Sequence, residues 1–178
     1  MNFVDNGRGL LLPEKQKVIV GGFFEGQIVR DGKVIDEFSD HNLVVNEGLD
    51  AILNIMFHGS TQITTWYIGL FEGNYTPVAT VTAATIVAAA TECTAYSQST
   101  RQAYDEAASS GQSITNSASR ATFTFNASKT IYGAFLTSLA TKSGTTGTLL
   151  SAAKFGTSKS VESGDELLLT YTFTAASA

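Results

Sequence analysis

Residues 119–126 read Ser119-Arg120-Ala121-Thr122-Phe123-Thr124-Phe125-Asn126. Ala121, Phe123 and Phe125 fall on one side of an extended chain, and Arg120, Thr122 and Thr124 on the other. Side chains alternate with period two along a strand, so this is the pattern of a half-buried antiparallel strand. Downstream, Thr130–Ser138 (TIYGAFLTS) reads as a second strand, in which Gly133 marks a bulge or a close backbone approach. Leu149–Phe155 is a weaker strand. The turn Ser163-Gly164-Asp165 leads into Glu166–Thr174 (ELLLTYTFT), a closing strand. Upstream, residues 64–72 (TTWYIGLFE) form a near-continuous aromatic and β-branched run, as expected of a strand covered on both faces or at a subunit contact. Further upstream, Arg30-Asp31-Gly32-Lys33 separates two apolar runs, Ile28–Val29 and Val34–Ile35. Asp-Gly between such runs signals a hairpin, because glycine accepts the positive φ of a type I′ turn.

One segment is clearly helical. From Asn46 to His58, Leu49, Ile52, Leu53 and Met56 follow the i, i+3, i+4, i+7 spacing of a buried stripe, widened by Ile55 and Phe57. Asn46 is the expected cap, Glu47 and Asp50 suit the positive end of the helix dipole, His58 suits the negative end, and Gly59 ends the helix. Residues 78–95 are Ala/Thr-rich, and Thr82–Ala90 is left open between a short helix and irregular chain. Residues 1–16 lack periodicity and hold Gly7, Gly9 and Pro13, which marks them as an arm. Its apolar residues Phe3, Val4 and Leu10–Leu12 need cover, from their own domain or from a neighbouring subunit. With no βαβ alternation, the expected fold is all-β and mainly antiparallel. It is a jelly-roll-like β-sandwich with one short α-helix at about 46–58. An arm at 1–16 precedes a single β-rich domain at 17–178.

The composition narrows the function. Of 178 residues, 43% are hydrophobic and only 15% charged, while Ser and Thr together number 40. That charged fraction falls well below the usual value of about 25%. A net charge of −5 with no basic stripe argues against nucleic-acid binding. The apolar run Ala83–Ala90 is far short of a membrane span, and Leu10–Leu12, following Asp5, is too short for a secretion signal. Without such a signal, the Asn-x-Ser/Thr matches at Asn74 and Asn126 are read as chance. Cys93 is the lone cysteine, so it forms no intrachain disulfide and is expected to be a small buried hydrophobe. Residues 61–178 carry 7 acidic and 6 basic side chains, a nearly neutral surface that suits contact with other protein.

No chemistry-bearing pattern stands out. There are two histidines, His41 and His58. No G-x-S-x-G turn, P-loop or G-x-G-x-x-G is present. Asp36, Glu37, Asp40 and His41 offer oxygen and nitrogen ligands, but without the spacing of a known metal loop, and a solvated strand end is the expectation. The adjacent acids Asp36-Glu37, Asp105-Glu106 and Asp165-Glu166 do not imply a facing catalytic pair. Trp66, Tyr67 and Phe71 are the candidate sugar-stacking platform, although aromatics in such a run more often pack in a core or an interface. No catalytic residue, cofactor or metal ligand is expected. The candidate partner-interface residues are Phe3, Leu10, Leu11, Leu12, Trp66 and Tyr67.

Four segments carry a resemblance: Asn42–Leu49 (NLVVNEGL), Tyr67–Phe71 (YIGLF), Thr130–Leu136 (TIYGAFL) and Ser163–Thr172 (SGDELLLTYT). Together they resemble small structural proteins of tailed bacteriophages, over about residues 40–175, with the first 40 residues outside the match. The resemblance implies a virion component, with capsid decoration (cement) proteins as the favoured class. It implies no catalytic residues, a homotrimer, and the major capsid protein as partner, on a capsid surface after synthesis in the bacterial cytoplasm. A tail, baseplate or fibre component that touches host glycan is the competing reading. A glycan hydrolase is the third.

Overall fold

In the computed structural model, residues 17–177 are described in full, together with the backbone pairing of two short strands near the start. These are β1 (Phe3–Asp5) and β2 (Leu11–Pro13), which pair antiparallel as a two-stranded sheet of their own. Leu10, and the side chains of Phe3, Leu11 and Leu12, lie outside the described residues.

The Asp-Gly signal marks a hairpin. β3 (Val18–Arg30) turns into β4 (Lys33–His41) through Asp31 and Gly32, at φ 50° and 73°, the left-handed pair that a type I′ turn requires. This hairpin supplies two strands of the five-stranded first sheet. The order is β10 (Ala121–Thr124), β13 (Glu166–Ser177), β3, β4, with β9 (Ser113–Thr115) also paired to β13. The second sheet runs β5 (Leu43–Val44), β12 (Leu149–Val161), β11 (Lys129–Thr137), β6 (Trp66–Phe71), β7 (Glu92–Cys93), with β8 (Gln102–Tyr104) also on β6. Every pairing is antiparallel.

The two sheets enclose the main core. Phe24 and Ile28 of β3, Phe123 of β10 and Leu167, Leu169 and Tyr171 of β13 meet Ile68 and Leu70 of β6, Ala134 and Leu136 of β11, and Phe155 of β12. In β10, Ala121 and Phe123 are buried and Thr122 and Thr124 point outward, the alternation read from the sequence. Each large apolar side chain buried there contributes about 1.5–3 kcal/mol, so this interior is the main source of stability. Gly133 serves as both a bulge and a close approach. The β11–β12 register shifts between Ile131 and Gly133, which puts Ile131 on the same inner face as Ala134 and Leu136. A Cβ at Gly133 would strike the Phe71 ring and the Ala153 carbonyl.

The outer face of the second sheet carries a further layer. Phe71, Phe135, Leu149 and Ala152 pack there with Val45, Val81, and Ala83, Ile86 and Ala90. The last three belong to a helix at Ala83–Ala90, so there are two helices among the described residues rather than the one expected. Thr85 Oγ1 accepts the Thr82 N–H at 3.1 Å at its start, and Thr91 at φ 55° ends it. β6 is therefore covered on both faces by its own chain, as the TTWYIGLFE run implies.

One part of the first sheet overshoots. β4 stops at His41, opposite Phe23, while β3 extends back to Val18 paired only with β13, up to Val18 opposite Ser177. Val18 and Ile19 are exposed on this projecting ribbon.

Candidate interaction surface

The first helix, α1 (Asn46–Phe57), lies where its spacing places it, but its orientation reverses the expectation. Leu49, Leu53, Met56 and Phe57, expected to be buried, are 36%, 54%, 67% and 78% exposed, and exposure rises along the helix. At 100° per residue these four share one stripe. The side turned to the sheet holds Gly48, which is buried, and the half-buried Ile52, which packs against the core. A Cβ on Gly48 would meet the Leu150 Cα at 2.8 Å, so the helix backbone rests directly on β12. The smallest residue of the helix thus makes its closest contact, and the largest are left in water.

Local bonds fix this orientation. The N-cap is Val45, without a side-chain cap, and not Asn46 as expected. Its N–H bonds to Leu150 O at 3.1 Å. Glu47 Oε2 accepts the N–H groups of Ala83 at 2.8 Å and Leu149 at 2.7 Å, which ties α1 to the second helix and to β12. At the other end His58 is the C-cap, its N–H bonded to Asn54 O, and Gly59 follows at φ 71°. Rotating the apolar stripe inward would break the Glu47 bonds and drive larger side chains into Leu150.

Two concavities lie nearby. An open cleft of about 700 Å³ runs along one flank of α1, with Asp50, Asn54, Ile55, Thr61, Ile63 and Thr80 in its mixed polar and apolar lining. A smaller cavity of about 190 Å³ enters between the sheets, with Trp66, Tyr104, Tyr171 and Phe173 in its wall and Gln62 and Glu106 also lining it. Tyr104 donates to Ile114 O at 3.1 Å, and the Tyr171 hydroxyl accepts from Asn42 Nδ2 at 2.9 Å. The candidate platform of Trp66, Tyr67 and Phe71 does not form. Successive strand residues alternate, so Trp66 packs against the main core, Tyr67 points to the opposite face, and Phe71 is buried under the second helix.

Several ionisable groups are bound up in structure. Arg101, 1% exposed, makes a bidentate pair with Glu92 at 2.8 and 2.9 Å. It also donates to Leu139 O at 2.9 Å and Gly144 O at 3.0 Å, and the Ser143 N–H caps the Glu92 carboxylate at 2.7 Å. This clamp fastens the loop after β11 to β7. Asp165 holds Arg30 through bonds of 2.8 and 2.7 Å, and the guanidinium keeps the Asp165 carboxyl below its ordinary pKa. Asp36 pairs with Lys159 at 3.0 Å, Asp40 accepts the Gly156 N–H at 2.8 Å, and the His41 ring sits edge-on to Phe23. Among the described residues, no three His, Cys, Asp or Glu side chains converge on a point that could hold a metal ion. Cys93 is fully buried, and burial raises its thiol pKa.

Sequence reasoning locates α1 and Trp66. It misses the outward face of the helix and the Arg101–Glu92 clamp. A signal for the first is present: Gly48, within a helix of large apolar residues, marks a close backbone contact. No known family model matches the chain, and no curated protein shows significant sequence similarity to it.

Proposed function

We propose that this chain is a structural protein of a tailed-bacteriophage virion, a decoration protein that binds the outer capsid shell and stabilises it. The observation that carries the proposal is the uncovered apolar stripe of α1. An exposed patch of four large apolar side chains on a well-packed sandwich marks a protein–protein contact. The nearly neutral surface of the second part adds support, since few charges must be desolvated when it meets another protein. The segments similar to phage structural proteins include the start of α1, within Asn42–Leu49. Many identical copies on a shell add modest contacts into a large sum, and closed cyclic association, as in a trimer, suits a symmetry axis. This role assigns no catalytic step to any residue. The test is reconstitution. Phage particles stripped of the protein and incubated with it should regain bound density and withstand heat or chelation better. Particles that stay bare would remove the proposal.

The inter-sheet cavity favours a second reading, a tail or fibre component that holds host glycan against Trp66. Glycan-array signal lost on Trp66→Ala and weakened by Gln62→Ala, with the fold intact by circular dichroism, would select it.

A further inference from the structure

We infer that the cavity between the sheets is a binding site for a quaternary ammonium ion of the size of choline. The inference concerns this cavity alone. It is independent of shell binding, and it gives the cavity a different occupant from the glycan of the second reading. Three strands build the wall: Trp66 comes from β6, Tyr104 from β8, and Tyr171 and Phe173 from β13. The Tyr104 and Tyr171 rings stand at 67° with centroids 5.6 Å apart, so they form a corner rather than a flat platform. Among the described residues that line the space, Glu106 is the only charged one, and it is exposed, at the mouth. The negative faces of aromatic rings attract a cation, those of Trp most strongly, and more so where water is excluded. A carboxylate at the mouth adds to that attraction and repels an anion.

The chemistry of the wall selects the kind of cation. Both phenol hydroxyls are engaged by the protein. Tyr104 donates to Ile114 O, and the Tyr171 hydroxyl accepts from Asn42 Nδ2 at 2.9 Å and Ser151 Oγ at 3.1 Å. What they leave to an occupant is ring surface, together with aliphatic side chains such as Ile63. A primary ammonium brings three N–H donors that need acceptors. A sugar ring brings a hydroxyl at most of its carbons, and a buried hydroxyl without a partner is costly. A trimethylammonium group has neither N–H nor O–H, so its charge is met by the rings and its methyl groups pack on the aliphatic wall. Size agrees. The cavity holds about 190 Å³. A cavity of about 150 Å³ encloses a benzene ring, and a trimethylammonium group has comparable bulk. The hydroxyl end of choline is left to the mouth, where Gln62 and Glu106 are exposed.

The test uses the full chain, in which Trp66 is the only tryptophan, so its fluorescence reports on this cavity directly. Choline chloride, titrated against matched NaCl, should change the emission saturably, with half-saturation below about 1 mM. Dimethylbutanol, the uncharged carbon analogue of choline, should bind at least about tenfold more weakly. By calorimetry, Trp66→Leu, which keeps apolar bulk but removes the ring, should weaken choline about tenfold, and Glu106→Gln about threefold. Circular dichroism checks the fold of Trp66→Leu; Glu106 is exposed, so its variant and the analogue comparison decide the matter even if the other variant unfolds. Phosphatidylcholine vesicles carry the same cation. Sedimentation of the chain with them would assign the ligand to a lipid headgroup, and binding of free choline alone would assign it to a solute; both outcomes support the site. No saturable change with choline, equal binding of the uncharged analogue, or an affinity unmoved by Glu106→Gln and Trp66→Leu would overturn the inference. So would an emission change with hexoses and none with choline, which would select the glycan reading instead.

Discussion

At the scale of single residues, the Arg101–Glu92 clamp is the most consequential feature. Both side chains are almost fully buried, and the guanidinium lies 5.2 Å from the centre of the Phe135 ring. Removing one partner of a buried ion pair leaves an uncompensated charge and costs about 3–5 kcal/mol. Arg101→Met should therefore lower stability by about that much in urea unfolding, and Glu92→Gln by a similar amount. The double replacement by apolar residues should cost less than the sum. Nothing in the sequence announces this pair, because Arg101 sits in a polar stretch, Ser97–Gln102, and its carbonyl partners come from a loop 38 and 43 residues away. Asp165 makes a pH prediction. Its folded-state pKa is depressed, first by the hydrogen bond from Arg30. Its stabilisation is present above the ordinary carboxylate range and is lost as pH falls through the depressed value. Asp165→Asn should be less stable than the parent at neutral pH. The difference should shrink to nothing in acid, measured as denaturation midpoints across pH. The turn at Ser163-Gly164-Asp165 is legible, with Gly164 at φ 96°, but the partner of Asp165 is not. The pair spans 135 positions of sequence, which a local pattern does not encode.

At the scale of elements, strands are the most readable. Alternation locates β10, the β-branched aromatic run locates β6, and Asp31-Gly32 locates the first hairpin, because each signal is local and covalent in origin. β12 runs to Val161, well past the Phe155 expected, because its second half is polar and is held by pairing with β11 rather than by an apolar pattern. β8 and β9 are three residues each and carry no period that could be read. α1 shows the limit of amphipathic spacing. The stripe exists as read, but spacing says that a face is apolar and not what lies against it. Gly48 supplies the element-scale test. Alanine is the better helix former by about 0.8–1 kcal/mol. Here the added methyl would press on the Leu150 backbone, and overpacking costs about 1–3 kcal/mol. The clash is with backbone that cannot rotate away, so Gly48→Ala should lower the melting temperature despite its helix propensity. A rise would show that α1 rides free of β12.

At the scale of the whole molecule, the chain joins a tightly packed three-layer body to an outward apolar helix. Contact through such a face is governed by water and not by charge. Raising NaCl from about 0.05 M to about 0.5 M should leave the solution mass nearly unchanged, whereas sulfate should favour association. A mass that collapses with NaCl would point to an ionic interface instead. The sandwich itself is legible because strand-rich segments and turns are spread along the chain. The third layer is not, because the second helix is an Ala/Thr stretch with no directional pattern. The pairing of β3 with β13 along twelve residue pairs has a further consequence. These strands come from distant parts of the chain, and β9 and β10 also attach through β13. On the ribosome, the hairpin of Val18–Arg30 and Lys33–His41 must therefore wait, its apolar face uncovered, until Glu166–Ser177 has been synthesised. Completion of this sheet is late and slow for its size, and the waiting hairpin is what a chaperone would meet first.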